Sequence, residues 1–248
     1  MSAVGNAAEA STGGDPIAVI EATDWAQAHE DLDRDGVTRI AGVLGAADCA
    51  ALRAAYADRE RFRARVVMQR HGFGQGEYQY FRDPLPPLVQ QLCESLYPHL
   101  VPVANRWAAL LRQPQRFPTT HAAFRDQCHA AGQSRPTPLL LRYGAGDYNC
   151  LHQDVYGSRV FPLQMVVLLS APGRDFDGGE LVLVEQRPRM QSRPQVIPLQ
   201  QGEAAIFAVH HRPVMGTRGA YRVALRHGVS RLHRGERFTL GIILHDAA

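Results

Sequence analysis

The amino-acid sequence predicts a mainly β fold with helices in its N-terminal part, an α+β arrangement within one compact domain. Before residue 138 apolar residues recur at helical spacing, whereas after Pro138 short apolar segments alternate with Gly, Pro and Asp. A chain of 248 residues, 45% of them hydrophobic, is long enough to bury the core of such a domain.

The chain divides into three parts on this basis. Residues 1–15 are rich in Ala, Gly and Ser and are expected to form a flexible tail. Residues 16–137 are interpreted as a helical extension that packs on the core, and residues 138–248 as the β core itself.

The extension is expected to be mainly helical with short strands. These elements are a helix that runs from a cap at Asp24 towards Leu32, a strand over 36–40, and helices over 46–56, 86–111 and 119–131. Pro98 and Pro102 are expected to interrupt the long helix, because proline lacks the N–H donor of a helical residue.

Eight strands with turn residues between them are expected in the core. They cover about 139–143, 147–153, 163–170, 180–186, 195–199, 203–208, 221–230 and 236–245. The run Leu163–Leu169 lacks polar alternation, which indicates a strand buried on both faces and a sheet covered by the helices. This pattern predicts a closed or two-sheet antiparallel architecture, a double-stranded β-helix or jelly roll with a cupin-like core.

His152 and Asp154 are separated by one residue at the end of the predicted strand 147–153. Because side chains alternate along a strand, both would point to one face. An imidazole and a carboxylate on one face, with a histidine from a distant strand, form the facial triad that holds non-haem Fe(II) and leaves positions open for oxygen chemistry. The motif alone is equally compatible with a solvated turn, so the third ligand is decisive.

His227 falls on the apolar face of the predicted strand 221–230, where a lone histidine is more often a core residue than a ligand, but the residues that follow it favour His227 as the third ligand. Arg237 follows ten residues later, and Thr239 lies two residues beyond it on the same inward face. A guanidinium can hold a carboxylate through two parallel hydrogen bonds, and a threonine hydroxyl adds a further donor. The apolar residues of this last strand suit the helix-covered face: Phe238, Leu240, Ile242 and Leu244.

His210 and His211 are the rival distal ligands, and they could instead face a substrate. Arg222 stands eleven residues after His211, but the Gly-x-Arg-x-Thr context occurs only around Arg237. His245 and Asp246 are interpreted as structural, because adjacent residues of a strand face opposite ways.

In this order, His152, Asp154, His227 and Arg237 resemble the pattern of the Fe(II)- and 2-oxoglutarate-dependent dioxygenases. The motifs FDGGEL at 176–181 and QGEAAIF at 201–207 resemble further motifs of that superfamily. A closer resemblance, carried by residues 142–154, 184–192 and 210–214, is to the bacterial Oxygenase-NA family, which is AlkB-like and inferred to act on damaged nucleic acid.

The resemblance implies that Fe(II), 2-oxoglutarate and O2 take part in the reaction. It implies that the catalytic and metal-binding residues are His152, Asp154 and His227. It also implies that the residues that bind 2-oxoglutarate are Arg237, Thr239 and Tyr143. Decarboxylation of 2-oxoglutarate would be coupled to hydroxylation or oxidative demethylation of a substrate, with an alkylated base as one candidate. Leu141 and Ile243 replace an asparagine and a second arginine of the AlkB-type dealkylases, so the substrate does not carry over.

Two alternatives stay open at this point: a hydroxylase of protein side chains or small molecules, and a cupin-like metal-binding module without oxygen chemistry. The segment His71–Phe81 holds aromatic residues among glycines, which suits either stacking on bases or packing on the barrel. The oligomeric state and the role of the N-terminal extension do not follow from the sequence.

Composition limits the partners and the compartment. A net charge of +3 and a pI near 8.8 permit an acidic partner, but fall short of the basic excess of a dedicated nucleic-acid binder. The run Arg187–Arg193 is the densest basic segment and is interpreted as a solvated loop. The cysteines are scattered and no secretory signal is found, which predicts a cytoplasmic protein. No apolar run reaches the roughly 18 residues of a membrane span, so no membrane partner is expected.

Overall fold

The computed structural model describes residues 14–248, so most of the expected N-terminal tail lies outside the described residues. The helices are α1 (Pro16–Glu21), α2 (Trp25–Asp35), α3 (Ala46–Ala55), α4 (Pro87–Leu110) and α5 (His121–Ala130). The strands are β1 (Val37–Ile40), β2 (Phe62–Val67), β3 (Gly74–Gln75), β4 (Glu77–Phe81), β5 (Leu139–Tyr143), β6 (Tyr148–His152), β7 (Leu163–Leu168), β8 (Phe176–Gly178), β9 (Leu181–Gln186), β10 (Arg193–Ile197), β11 (Ala204–Ala208), β12 (His211–Gly216), β13 (Gly219–Val229), β14 (Leu232–Gly235) and β15 (Arg237–Ile243).

Two antiparallel sheets form the body of the protein, which confirms the expected mainly β, jelly-roll architecture. The large sheet has the order β1-β11-β7-β15-β5-β4-β2. The small sheet has the order β10-β9-β13-β6-β3, and β12 also pairs with β13. A separate two-stranded ribbon joins β14 to β8. Residues from the N-terminal part therefore supply strands β1 to β4 as well as helices, and the division of the chain at residue 138 stays a prediction.

Apolar side chains cover both faces of the large sheet. On its outer face, Leu240 and Ile242 of β15 belong to one buried cluster with residues of the helices, as the sequence predicts for this strand. On its inner face, Leu168 and Phe207 belong to a second cluster with Leu183 of the small sheet. One core therefore lies between the helices and the large sheet, and another between the two sheets.

Helix α4 continues through Pro98 and Pro102, so the expected interruption is wrong. Each proline removes a backbone donor, which disfavours a helix by about 3 kcal/mol in an exposed setting. Side chains of α4 are buried along its whole length, from Val89 to Trp107 and Ala108, and this packing keeps the helix in place.

The other N-terminal expectations hold closely. The Asp24 side chain accepts a hydrogen bond from the backbone N–H of Gln27, which caps α2 as predicted. Gly36 ends this helix in the left-handed region with a φ of 75°, so the expected strand begins at Val37. A Cβ at Gly36 would lie 2.8 Å from Cδ of Arg212, so the close packing of β12 also requires glycine there.

Strand β12 has no signal in the sequence, because it carries charged and proline residues. Its Arg212 is fully buried, however, and forms an ion pair with the buried Glu185 of β9. Arg187 bonds the same carboxylate at 2.6 Å, so the run Arg187–Arg193 is only partly the solvated loop that the sequence suggests. The buried pair fixes β12 against the small sheet.

Candidate metal centre and its cavity

His152 and His227 face each other across two neighbouring strands. They are direct partners in the antiparallel pairing of β6 with β13, and the next pair is Asn149 with Val229. Two steps along β13 thus match three steps along β6, which is a β-bulge that turns both Asn149 and His152 inward. Gly228 lies opposite the bulge, where a Cβ would stand 2.6 Å from the carbonyl oxygen of Asn149.

Asp154 completes the group, but it does so from a loop. Strand β6 ends at His152, so the expected strand to residue 153 is wrong at this end, and alternation along a strand is not what brings Asp154 inward. Its Oδ1 lies 3.5 Å from Nε2 of His152, and its Oδ2 lies 3.1 Å from Nε2 of His227. The three ligand atoms lie within 4.8 Å of one another, which confirms the convergence predicted for the triad. These three residues are called the metal group below.

Hydrogen bonds orient two of these side chains. Nδ1 of His152 donates to the carbonyl oxygen of Cys150 at 2.8 Å, which leaves Nε2 free as a metal ligand. The hydroxyl of Tyr156 donates to Oδ1 of Asp154 at 2.6 Å. Gln164 places its amide nitrogen 3.2 Å from Nε2 of His227.

The pKa shifts of Asp154 and His227 favour the forms that bind a divalent cation. Burial alone would raise the pKa of Asp154, but the charge of His227 and hydrogen bonds from both histidines hold that pKa well below its ordinary value. Burial lowers the pKa of His227, which favours the neutral imidazole. Burial alone would lower the pKa of His152 as well, but hydrogen bonds and the charge of Asp154 outweigh burial and raise that pKa. A carboxylate and neutral imidazoles are the forms that bind metal, so a bound cation would displace the proton that His152 favours. Two nitrogen donors and one oxygen donor on one side of a centre fit non-haem Fe(II).

Arg237 lies in the same cavity and forms no ion pair with any of residues 14–248. It pairs with Tyr143 across β15 and β5, and its guanidinium lies 5.7 Å from the centre of the Tyr143 ring. The side chain is 2% exposed, and its Nε and Nη1 have no hydrogen-bond partner among the residues that the structure describes. Burial lowers its pKa to about 10. A buried guanidinium in this state calls for an anion supplied from outside the chain.

One cavity of about 320 Å³ connects these groups. His152, Asp154 and His227 line it, and so do the three residues proposed from the sequence as cosubstrate ligands: Arg237, Thr239 and Tyr143. The remaining wall is mostly apolar and includes Tyr78, Leu139, Leu141, Met165 and Ile243. Molecules bound in this cavity could therefore contact the metal group, the Arg237 guanidinium and an apolar wall at the same time.

The rival residues lie apart from this arrangement. His210 and His211 contact each other edge to face at 4.6 Å, and neither belongs to the metal group found in the described residues. Burial, with smaller contributions from His211 and Arg222, lowers the pKa of His210 to about 4. His245 is buried, and Asp246 bonds Nε2 of His129 at 2.8 Å.

The aromatic segment 71–81 packs on the barrel in part, and its role in stacking on bases stays a prediction. Tyr80 is buried against the barrel, whereas Tyr78 and Phe73 line the cavity. Sequence reasoning missed Tyr156 and Gln164, which contact the metal group from a loop and from a strand. Their only signal was nearness to His152 or to a buried strand, which many other residues share.

Comparison with known proteins agrees with this geometry. Residues 76–247 match the model of the Oxygenase-NA family, described as an oxygenase catalysing oxidative methylation of damaged DNA. The uncharacterized protein Rv2227 of Mycobacterium tuberculosis is 47% identical over 168 residues, which cover 68% of this chain and 72% of that protein. A protein of strain CDC 1551, MT2286, matches over the same length with the same identity.

Solved structures share the fold at low sequence identity. A prolyl-4-hydroxylase of Pseudomonas putida has a TM-score of 0.54 and 17% identity, over 90% of this chain and 99% of that chain. An oxidoreductase of the 2OG-Fe(II) oxygenase family from Burkholderia pseudomallei has a TM-score of 0.52 and 15% identity, over 92% and 94%. None of the helices in residues 14–248 is long and apolar enough to cross a membrane.

Proposed function

The chain belongs to the Oxygenase-NA family, and we propose that its substrate is an alkylated base in nucleic acid, which it hydroxylates or demethylates oxidatively. Family membership makes the chain an oxygenase, an oxidoreductase that uses Fe(II), 2-oxoglutarate and O2. The observation that carries the proposal is the shared cavity, in which an inward metal group and an unpaired guanidinium stand within one apolar wall.

We assign the metal to His152, Asp154 and His227, because their donor set and their convergence fit Fe(II). When bound there, the metal supplies the oxygen chemistry of the reaction, which the side chains cannot perform themselves. The chain contributes one face of ligands, the hydrogen bonds that orient them, and a buried setting that limits the access of water.

We assign the distal carboxylate of 2-oxoglutarate to Arg237. Its guanidinium has no hydrogen-bond partner at Nε or Nη1 among residues 14–248, and a bound carboxylate would offset the cost of burying the cation. Thr239 is buried on the same inward face and supplies a hydroxyl donor. The Tyr143 hydroxyl accepts a hydrogen bond from Asn149 at 3.3 Å and keeps its own proton for a ligand. A metal-binding module without oxygen chemistry would have no need of this arginine.

The choice of nucleic acid rests on the description of the family and on the cavity wall. Tyr78, Leu139 and Ile243 offer apolar surface in the same cavity as the metal group, which suits an alkylated base with little hydrogen-bonding capacity at the damaged atom. The prolyl hydroxylases among the structural neighbours share the fold alone, so they do not favour a protein substrate.

Succinate formation from 2-oxoglutarate, with Fe(II) and ascorbate, tests the proposal. We expect a slow basal rate that methylated oligonucleotides increase and that unmodified oligonucleotides of the same sequence do not. Formaldehyde release in step with succinate would identify demethylation. Stimulation by peptides instead of oligonucleotides would identify a protein hydroxylase and contradict the nucleic-acid substrate.

A further inference from the structure

The small sheet, with the hairpin loops 187–192 and 217–218, is nearly free of carboxylates. Glu185 is the single acidic residue in these strands and loops, and it is buried and bonded by arginines. The arginines of the same strands and loops are Arg187, Arg189, Arg193, Arg212, Arg218, Arg222 and Arg226. The positive charge of this sheet is therefore largely uncompensated on its surface.

Arg222 and Arg226 lie on the outer face of the central strand β13. Alternation along the strand turns them away from His227, which points into the cavity, and both arginines are exposed. Neither forms an ion pair within residues 14–248, in contrast to exposed arginines elsewhere such as Arg34 and Arg61. Burial, and then the charge of Arg222, lowers the pKa of the neighbouring His211.

Exposed apolar side chains collect on the same sheet. The large hydrophobic residues that are exposed on its strands, loops and edge are Phe73, Tyr148, Leu151, Met190, Val196 and Met215. Among the described residues, the large exposed hydrophobics outside this set are Leu110 and Val155. Apolar surface concentrated in one region marks an interaction site more often than isolated exposed residues do.

This face is continuous with the rim of the cavity. Phe73 and Leu151 are 47% and 45% exposed, and both also line the cavity. Phe73 adjoins β3 and bonds β6 through its carbonyl oxygen, and its ring stacks on that of His71 at 5.3 Å. A polymer that lies along the sheet can therefore place one of its units at the cavity mouth.

We propose that the outer face of the small sheet binds the phosphodiester backbone of a nucleic-acid strand, with Arg222 and Arg226 on phosphates and the His71–Phe73 stack under a base. The proposal rests on the proposed function and names the surface that delivers the substrate. Guanidinium groups bind phosphate oxygens through two parallel bonds, and single strands combine such contacts with stacking on exposed rings. An acidic polypeptide would match the charge but would leave the exposed ring stack without a partner.

Binding of a fluorescein-labelled single-stranded oligodeoxynucleotide without a lesion tests the surface, measured by anisotropy over a range of salt concentrations. We expect Arg222→Ala/Arg226→Ala to weaken binding on the order of twentyfold near 0.1 M salt, and the slope of log K against log salt to fall by about 1.4, because two phosphate contacts are lost. The matched control is Arg34→Ala/Arg61→Ala, which removes the same charge from exposed sites on α2 and on the turn Arg59–Arg61. The control is expected to bind as the unaltered protein does.

Three outcomes would overturn the proposal: no binding by the unaltered protein, equal losses in both double variants, or displacement of the strand by polyglutamate as readily as by an unlabelled strand of equal charge. The last would identify an acidic polypeptide as the partner. Stimulation of succinate formation by methylated strands, with normal binding by Arg222→Ala/Arg226→Ala, would reject the surface and keep the proposed function. Binding at this surface without any stimulation would reject the proposed function alone.

Discussion

The hydroxyl of Tyr156 donates a hydrogen bond of 2.6 Å to Oδ1 of Asp154, whose other oxygen lies 3.1 Å from Nε2 of His227. The carboxylate comes from a loop rather than from the strand that presents His152, so its orientation depends on this bond. Tyr156 is therefore a positioning residue for the metal group.

Replacing Tyr156 with phenylalanine should weaken metal binding about 10- to 100-fold, because the carboxylate loses the donor that orients it. Titration with Co(II), followed by its absorption spectrum, measures this affinity without turnover. Tyr148→Phe is the matched control, since Tyr148 is exposed and lies on β6, the strand that presents His152. Equal affinities in the two variants would exclude a positioning role.

Replacing His227 with alanine should abolish both Co(II) binding and Fe(II)-dependent succinate formation, because a facial triad with two remaining ligands holds metal poorly. His211→Ala should keep the Co(II) affinity of the unaltered protein. The reverse result, with metal bound by His227→Ala and lost from His211→Ala, would move the assignment of the distal ligand to His211.

Replacing Gly228 with alanine should disturb the metal group through the backbone. The added Cβ would lie 2.6 Å from the carbonyl oxygen of Asn149, so β6 and β13 must separate where His152 faces His227. We expect lower Co(II) affinity and a free energy of unfolding reduced by about 1–3 kcal/mol. Gly144→Ala is the control, because its Cβ would meet only Oδ2 of Asp147 at 3.7 Å. Normal metal binding by Gly228→Ala would show that the bulge does not set the geometry.

Replacing Arg237 with methionine should stabilise the protein without ligands by about 1–3 kcal/mol, because a buried, unpaired cation is removed. The unaltered protein should gain about 2.7 kcal/mol from 2-oxoglutarate at 100 times its Kd with Mn(II) present, and the variant should gain almost nothing. Thermal unfolding with and without 2-oxoglutarate measures both effects. A ligand-dependent shift that persists in Arg237→Met, but is lost in Arg234→Met, would place the carboxylate elsewhere.

The buried pair of Glu185 and Arg212 should stabilise the fold only as a pair. Arg212→Met leaves Glu185 with less compensation and should lower the free energy of unfolding by about 3–5 kcal/mol, whereas Glu185→Leu/Arg212→Met should recover much of that loss. Urea denaturation measures the difference. A double variant less stable than Arg212→Met would contradict this account.

The same pair predicts a dependence on pH. Burial alone would raise the pKa of Glu185, but hydrogen bonds from Arg187 and Arg212 outweigh it and hold that pKa below its ordinary value of 4.5. A carboxyl group with a depressed pKa in the folded state adds stability above its unfolded pKa and loses it as the pH falls through the folded value. The stability difference between the unaltered protein and Glu185→Gln should therefore shrink as the pH is lowered below about 4.5. A difference independent of pH in that range would exclude this coupling.

The sequence predicted the parts of the molecule that depend on local spacing. The helix cap at Asp24, the two faces of β15 and the pairing of His227 with a distant His-x-Asp motif all follow from periodicity or from motif order. Two features depend on partners far along the chain and have no local signal. The bulge at His152 depends on the pairing of β6 with β13, and the buried strand β12 depends on Glu185 as the partner of Arg212.

The continuity of α4 through Pro98 and Pro102 has a similar origin. Proline opposes a helix locally, whereas the burial of apolar side chains against the large sheet and the neighbouring helices is a property of the assembled fold. Local rules therefore predict the wrong outcome where tertiary packing decides it.

The two histidines of the metal group belong to the small sheet, whereas Arg237 and Thr239 belong to the large one. A single molecule that binds the metal at one end and the guanidinium at the other would therefore act as a clamp between the two halves of the sandwich. When that molecule is bound, backbone amide hydrogens of both sheets should exchange more slowly. Binding of the cosubstrate would therefore reduce local opening in the two sheets together rather than in one of them.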